Sequence, residues 1–148
     1  MAKANQLKSL SETTTGTWKS ITADHGAFRE TGVATGRFHL APNSIDKLKA
    51  RGFTNEELYK IVAPRRTLAR RRDLKQELTA SESDRVLRLE RISEMADRVF
   101  ANPEKARRWL RKESRALEGA RPIDLLQTET GAFLVEQELH RIDYGMFA

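Results

Sequence analysis

The stretch TASESDRVLRLERISEMADRVF, residues 79–100, decides the fold class. It opens with Thr79-Ala80-Ser81-Glu82, a box in which the threonine hydroxyl caps the first helical turn and the glutamate reaches back to the chain before it. Behind the box, Val86, Leu89, Ile92, Met95, Ala96 and Val99 mostly recur at intervals of three or four. That is one face of a helix, whereas a half-buried strand would alternate at every second position. No other segment sustains such alternation, and the pattern predicts an all-α protein.

On the N-terminal side the chain is punctuated into short helices. Asn43 or Ser44 caps a helix to about Arg51, where Gly52 supplies a left-handed stop. Thr54-Asn55-Glu56-Glu57 is a second capping box, followed by Leu58, Ile61 and Val62 on one face. Pro64 suits the first turn of the next helix, which carries Thr67, Leu68 and Leu74, with Leu68 and Ala69 inward. Residues 1–42 are polar and show no lasting period, so they read as a flexible or dimer-contact arm. A short ordered piece is expected around Phe38-His39-Leu40, with Trp18 and Phe28 as anchors. On the C-terminal side, Asn102-Pro103 starts a helix with Ala106, Trp109 and Leu110 inward. Pro122 starts a short turn of helix with Ile123, Leu125 and Leu126. Thr128 caps a last helix in which Ala132, Val135, Leu139 and Ile142 repeat before Gly145 ends it. The expected organisation is an arm at 1–42, a two-helix region at 43–80 and a helical module at 81–148.

The chain has 148 residues, 39% hydrophobic and 32% charged, enough for one ordinary domain or two small modules. It lacks any apolar run long enough to span a membrane and any secretory leader, so the expected compartment is the cytoplasm. Without cysteine there is no disulfide framework or thiolate metal site. His25, His39 and His140 share no ligand spacing. Neighbouring carboxylates such as Glu56/Glu57 and Glu136/Glu138 read as surface charge. No nucleophile elbow or phosphate-cradling loop is present. The expectation is a non-enzyme with no cofactor.

Charge divides the chain. Residues 1–80 carry 15 Lys and Arg against 8 Asp and Glu, and residues 81–148 carry 12 against 13. Arg65, Arg66, Arg70, Arg71, Arg72 and Lys75 face one acid, Asp73, within residues 65–75, a net of +5. Residues 122–148 hold Arg141 against Asp124, Glu129, Glu136, Glu138 and Asp143. One region suits a polyanion and the other a different partner. Residues 54–62 and 64–74 then form a candidate helix-turn-helix. Arg65, Arg66 and Thr67 would meet base edges, and Arg70, Arg71, Arg72 and Lys75 phosphates. The other reading is a solvated basic helix, and the turn Val62-Ala63-Pro64 lacks the glycine often seen there.

Several motifs together resemble one family. Arg66-Thr67-Leu68-Ala69-Arg70-Arg71, Glu82-Ser83-Asp84-Arg85 and Ala106-Arg107-Arg108-Trp109-Leu110 are similar to the Xre/MbcA/ParS antitoxins. So are Arg121-Pro122-Ile123-Asp124-Leu125-Leu126, Gly131 and Leu139-His140-Arg141-Ile142-Asp143-Tyr144-Gly145. The resemblance covers roughly residues 45–148. It implies a helix-turn-helix module followed by a small toxin-binding domain in a bacterial type II toxin–antitoxin system. The implied partners are a RES-domain toxin that degrades NAD, operator DNA and a second copy of the chain. Toxin contact is then expected at Tyr144, Gly145, Met146, Phe147 and Ala148, where an acidic tail could complement a cationic pocket. A stand-alone helix-turn-helix regulator, whose C-terminal module dimerises or senses a ligand, is the alternative.

Overall fold

A computed structural model describes residues 39–145, and all regular structure within them is helical. The expectations placed on the arm before His39, Trp18 and Phe28 included, lie outside the described residues. So do those on Met146, Phe147 and Ala148. In chain order the helices are α1 (Ser44–Ala50), α2 (Asn55–Ile61), α3 (Arg65–Asp73) and α4 (Ala80–Phe100). After them come α5 (Pro103–Arg111), a 3-10 turn at Arg115–Leu117, α6 (Pro122–Leu125) and α7 (Glu129–Gly145).

The helix starts follow from their caps. Thr54 Oγ1 accepts from Glu57 N at 3.2 Å while Glu57 Oε2 accepts from Thr54 N at 2.8 Å, and Thr79 and Glu82 repeat both bonds. Asn102 Oδ1 accepts from the N–H groups of Glu104 and Lys105, with Pro103 in the first turn. Thr128 Oγ1 accepts from Gly131 N at 3.0 Å at the head of α7. Asn43 occupies the cap position of α1 but makes no side-chain cap bond. Gly52 has φ +95°, the left-handed conformation that reverses the chain after α1.

Helix α4 is the spine. Val86, Leu89, Ile92, Ala96 and Val99 are all buried along it. Leu48, Leu58, Val62 and Leu68 join the same core as Leu110, Leu126, Val135 and Leu139, so the two halves share one apolar interior. Leu40 belongs to it as well. Leu40 N donates to Ser83 Oγ at 2.9 Å, Leu78 N donates to Leu40 O at 2.8 Å, and the His39 ring sits 2.9 Å from Leu78 O.

Some inward positions differ from the sequence reading. Ala69 is exposed, because α3 is tethered at one apolar point, Leu68, and the next residue is turned about 100° away. Trp109 is half-buried and lies against Phe100, with ring centroids 5.6 Å apart and planes at 42°. Leu125, Met95 and Ile142 also sit at the core's edge. Helix α7 does not stop before Gly145 but runs through it, and Gly145 lacks the positive φ of a left-handed stop.

Candidate nucleic-acid interface and partner-binding domain

Helices α2 and α3 are joined by Val62, Ala63 and Pro64, of which Val62 and Ala63 are buried. Neither Val62 (φ −86°) nor Pro64 (φ −54°) needs left-handed backbone, so this turn forms without the glycine that others use. Arg85, from α4, donates from Nη1 to Val62 O at 2.8 Å and fixes the carbonyl at the end of α2. The first turn of α3 contains no acid and no side-chain cap, so its backbone donors lie beside Arg65 and Arg66, both exposed. A positive helix end flanked by guanidinium groups is suited to a phosphate.

The six cations of residues 65–75 do not behave alike. Arg65, Arg66 and Arg70 are exposed, and Thr67 is half-buried beside them. Arg72 is exposed too, with a loose contact to Asp46 at 3.5 Å. Arg71 turns inward instead. Its Nε lies 2.7 Å from Glu82 Oε2, Nη2 lies 3.2 Å from Glu82 Oε1, and Nη1 donates to Glu77 O at 3.1 Å. The side chains of this pair are only 15% and 10% exposed. Arg71, expected from sequence among the phosphate-holding cations, is therefore tied to α4 and turned away from the exposed ones. Lys75 lies beyond the end of α3 in left-handed backbone, φ 51°, and does not extend the helical row.

The second half closes onto the first through α5. Arg111 Nε and Nη2 donate to the two carboxylate oxygens of Glu57, at 2.7 and 2.9 Å. Arg111 Nη2 also reaches Gly52 O at 2.8 Å, and Arg107 Nη1 reaches Arg51 O at 3.3 Å. Lys60 of α2 meets Asp124 of α6 at 2.9 Å, and Arg121 meets the same carboxylate at 2.7 Å. Hydrogen bonds from Arg121 and then Lys60 hold the Asp124 carboxyl below its ordinary value against partial burial. These groups line a cleft of about 380 Å³ between the halves in which each cation already faces an acid.

In α7, Ala132, Val135 and Leu139 point inward, and Gly131 allows the helix to pass the carbonyl of Leu125. The opposite face carries Phe133 and Leu134, both exposed. Pattern reading missed these two because they fall outside the inward register and were absorbed into a helix already explained. Tyr144 is 76% exposed in the last turn, its ring 6.5 Å from that of His140. Gly145 is exposed beside it. Among the described residues no group of His, Asp and Glu could hold a metal ion, and no helix is long and apolar enough to cross a membrane.

A basic two-helix unit followed by a helical module on a shared spine defines a helix-turn-helix protein with an appended domain. Residues 39–91 match the model of the antitoxin Xre-like helix-turn-helix domain. Residues 95–145 match the antitoxin Xre/MbcA/ParS C-terminal toxin-binding domain. The chain is 38% identical over 106 residues to a Pseudomonas putida protein named Antitoxin Xre, covering 72% of this chain and 67% of that one. A Yersinia enterocolitica Antitoxin Xre is 35% identical over 57% of this chain and 58% of its own length. A Sphingobium protein named Prs ADP-ribosylating antitoxin is 38% identical over 49% of this chain and 52% of its own. The chain thus spans between about half and two thirds of these relatives. It belongs to the Xre/MbcA/ParS family of antitoxins.

Proposed function

We propose that the chain neutralises a cognate RES-domain toxin by direct binding and represses its own operon as a dimer on operator DNA. The DNA half of this reading is carried by the outward cations Arg65, Arg66, Arg70 and Arg72 on a helix whose orientation is set from behind. Arg65, Arg66 and Thr67 read bases, Arg70 and Arg72 hold phosphates, Lys75 adds charge at the margin, and Arg71 positions α3. The toxin half is carried by the second family match. Tyr144, Gly145, Met146, Phe147 and Ala148 are the proposed plug, which blocks the toxin by occupancy, so the antitoxin itself supplies no chemistry. Residues 43–80 and 81–148 are the proposed functional regions, with α4 serving both.

The toxin is proposed to act on NAD. Hydrolysis of NAD and transfer of its ADP-ribose to a protein both begin by breaking the nicotinamide–ribose bond. The Sphingobium relative's name favours testing both outcomes. Purified toxin from the adjacent gene, assayed for NAD loss and for protein ADP-ribosylation, is expected to be silenced by an equimolar amount of this chain. Removal of residues 144–148 is expected to release it while DNA binding persists. With about four phosphates neutralised per subunit, log K against log salt on the chain's own promoter has a slope of about −7 for the dimer. A protein that binds no promoter site, or whose binding is untouched by combined Arg65, Arg66 and Arg70 substitution, does not repress in this way.

A further inference from the structure

The acidic C-terminal region invites an electrostatic account of its partner, but four of its five carboxylates are already occupied. Of the five carboxylates in residues 122–145, Asp124 is paired with Lys60 and Arg121, and Glu129 with Arg88 and Arg91. Glu136 is paired with Arg91 and Glu138 with Arg141, which leaves Asp143. At 100° per residue the acids of α7 fall on its flanks. The outward stripe holds Thr130, Phe133, Leu134, Gln137, His140, Arg141 and Tyr144, and no carboxylate. Phe133 is 55% and Leu134 48% exposed, and Tyr144 continues the stripe about 16 Å further along the axis. Two large exposed apolar side chains at consecutive positions, about 100° apart around a helix whose other face is buried, make a preorganised anchor.

We infer that Phe133 and Leu134 on the outward face of α7 are the affinity anchor for the toxin, which meets them with an apolar surface and not a cationic one. The assignment rests on the antitoxin reading, and the domain that carries this face matches the family's toxin-binding model. Tyr144, the first residue of the proposed plug, ends the stripe, so one partner lying along α7 reaches Phe133 and Tyr144 together. The two tasks separate: the anchor holds the toxin, and the plug silences it.

The test uses the full chain and the purified RES-domain protein encoded beside it, with the dissociation constant measured by calorimetry. Phe133→Ala with Leu134→Ala is expected to weaken the complex at least about 100-fold while the melting temperature holds. At saturating concentration that variant is still expected to silence the toxin, because the plug is intact. Wild-type affinity is expected to change less than about threefold between low and high salt, and Asp143→Asn to change it equally little. Unchanged affinity of the double variant, or a loss of more than about tenfold with salt or with Asp143→Asn, overturns the anchor. A double variant that alters the chain's own oligomeric state and leaves toxin binding intact assigns the face to a second copy, which also overturns it. A wild-type chain that forms no complex overturns the antitoxin reading itself.

Discussion

Helices α3 and α7 both present an exposed face to solvent, yet they are held by largely different means. Helix α3 buries one residue, Leu68, and takes its orientation from polar ties: Arg71 to Glu82, and Arg85 to the carbonyl of Val62. Helix α7 buries Gly131, Ala132, Val135 and Leu139 and meets its neighbour at backbone distance. A short helix crowded with arginine has little apolar area with which to dock, so directional bonds must aim it. A long helix with a complete inward face docks mainly by shape, with ion pairs only along its edge, and its outer face is free to carry apolar side chains. The contrast predicts that shape changes injure α7 most, and charge changes α3.

The largest effect is expected at Gly131. A Cβ there would lie 2.0 Å from Leu125 O and 2.8 Å from Leu125 C, backbone atoms that cannot swing aside. Gly131→Ala must push α7 off α6, at a cost of about 3 kcal/mol or more. Chemical denaturation reads this, and an unshifted midpoint would mean that the two helices respace freely.

Next comes the tie behind α3. Glu82→Ala leaves the Arg71 guanidinium nearly enclosed without its partner and removes half of the α4 capping box. The expected loss is about 2–3 kcal/mol. The same comparison separates aiming from contact on DNA. Arg71→Ala should weaken binding without changing the salt slope, whereas Arg70→Ala, which removes one phosphate contact from each subunit, should reduce the magnitude of the dimer's slope by about 2. Equal slopes for the two variants would place Arg71 on the phosphates after all.

A smaller effect is expected for Trp109→Ala. Sequence reading makes this residue a core member whose loss costs about 3–5 kcal/mol. Half-buried against Phe100, it contributes an aromatic contact and part of its area, about 1–2 kcal/mol. Thermal melts distinguish the two magnitudes.

What the sequence made legible was local. The boxes at Thr54 and Thr79 and the Asn102 cap form as the residue types require, since a cap needs only partners two or three positions away. The 3–4 spacing of α4 likewise yields its buried face. Tertiary addresses were not legible. Nothing in a run of arginines shows that Arg71 faces Glu82 across 11 positions, or that Arg111 finds Glu57 across 54. Ala69 escaped for a related reason: an inward stripe read from two apolar neighbours fails when the helix has a single docking point. The acid count of the C-terminal region suggested a free negative surface, and the distances turn most of it into internal pairs.

Those pairs supply the smallest and most specific prediction. Glu129 opens α7 and receives Arg88 Nε at 2.7 Å and Arg91 Nη2 at 2.6 Å, both from α4. Hydrogen bonds from Arg91 and then Arg88 hold its carboxyl below the usual glutamate range, and Arg91 is raised by the same contact. A carboxyl group with a depressed folded-state pKa stabilises the fold fully above its unfolded value, about 4.3 for glutamate, and loses that contribution as pH falls through the folded value. The arginines stay charged throughout, so the titration belongs to the carboxylate. The difference in melting temperature between wild type and Glu129→Gln is therefore expected to be constant from pH 7 to about 5. It should shrink below about pH 4 and vanish once Glu129 is protonated. The side chain is 63% exposed, so solvent screening keeps the effect to a degree or two, further reduced by salt. Arg88 adds bonds of 3.3 Å to the carbonyls of Leu126 and Gln127, which survive protonation and keep α7 docked in acid. A gap between the two proteins that persists at pH 3 would mean that Glu129 acts through shape, as the rest of α7 does, and not through charge.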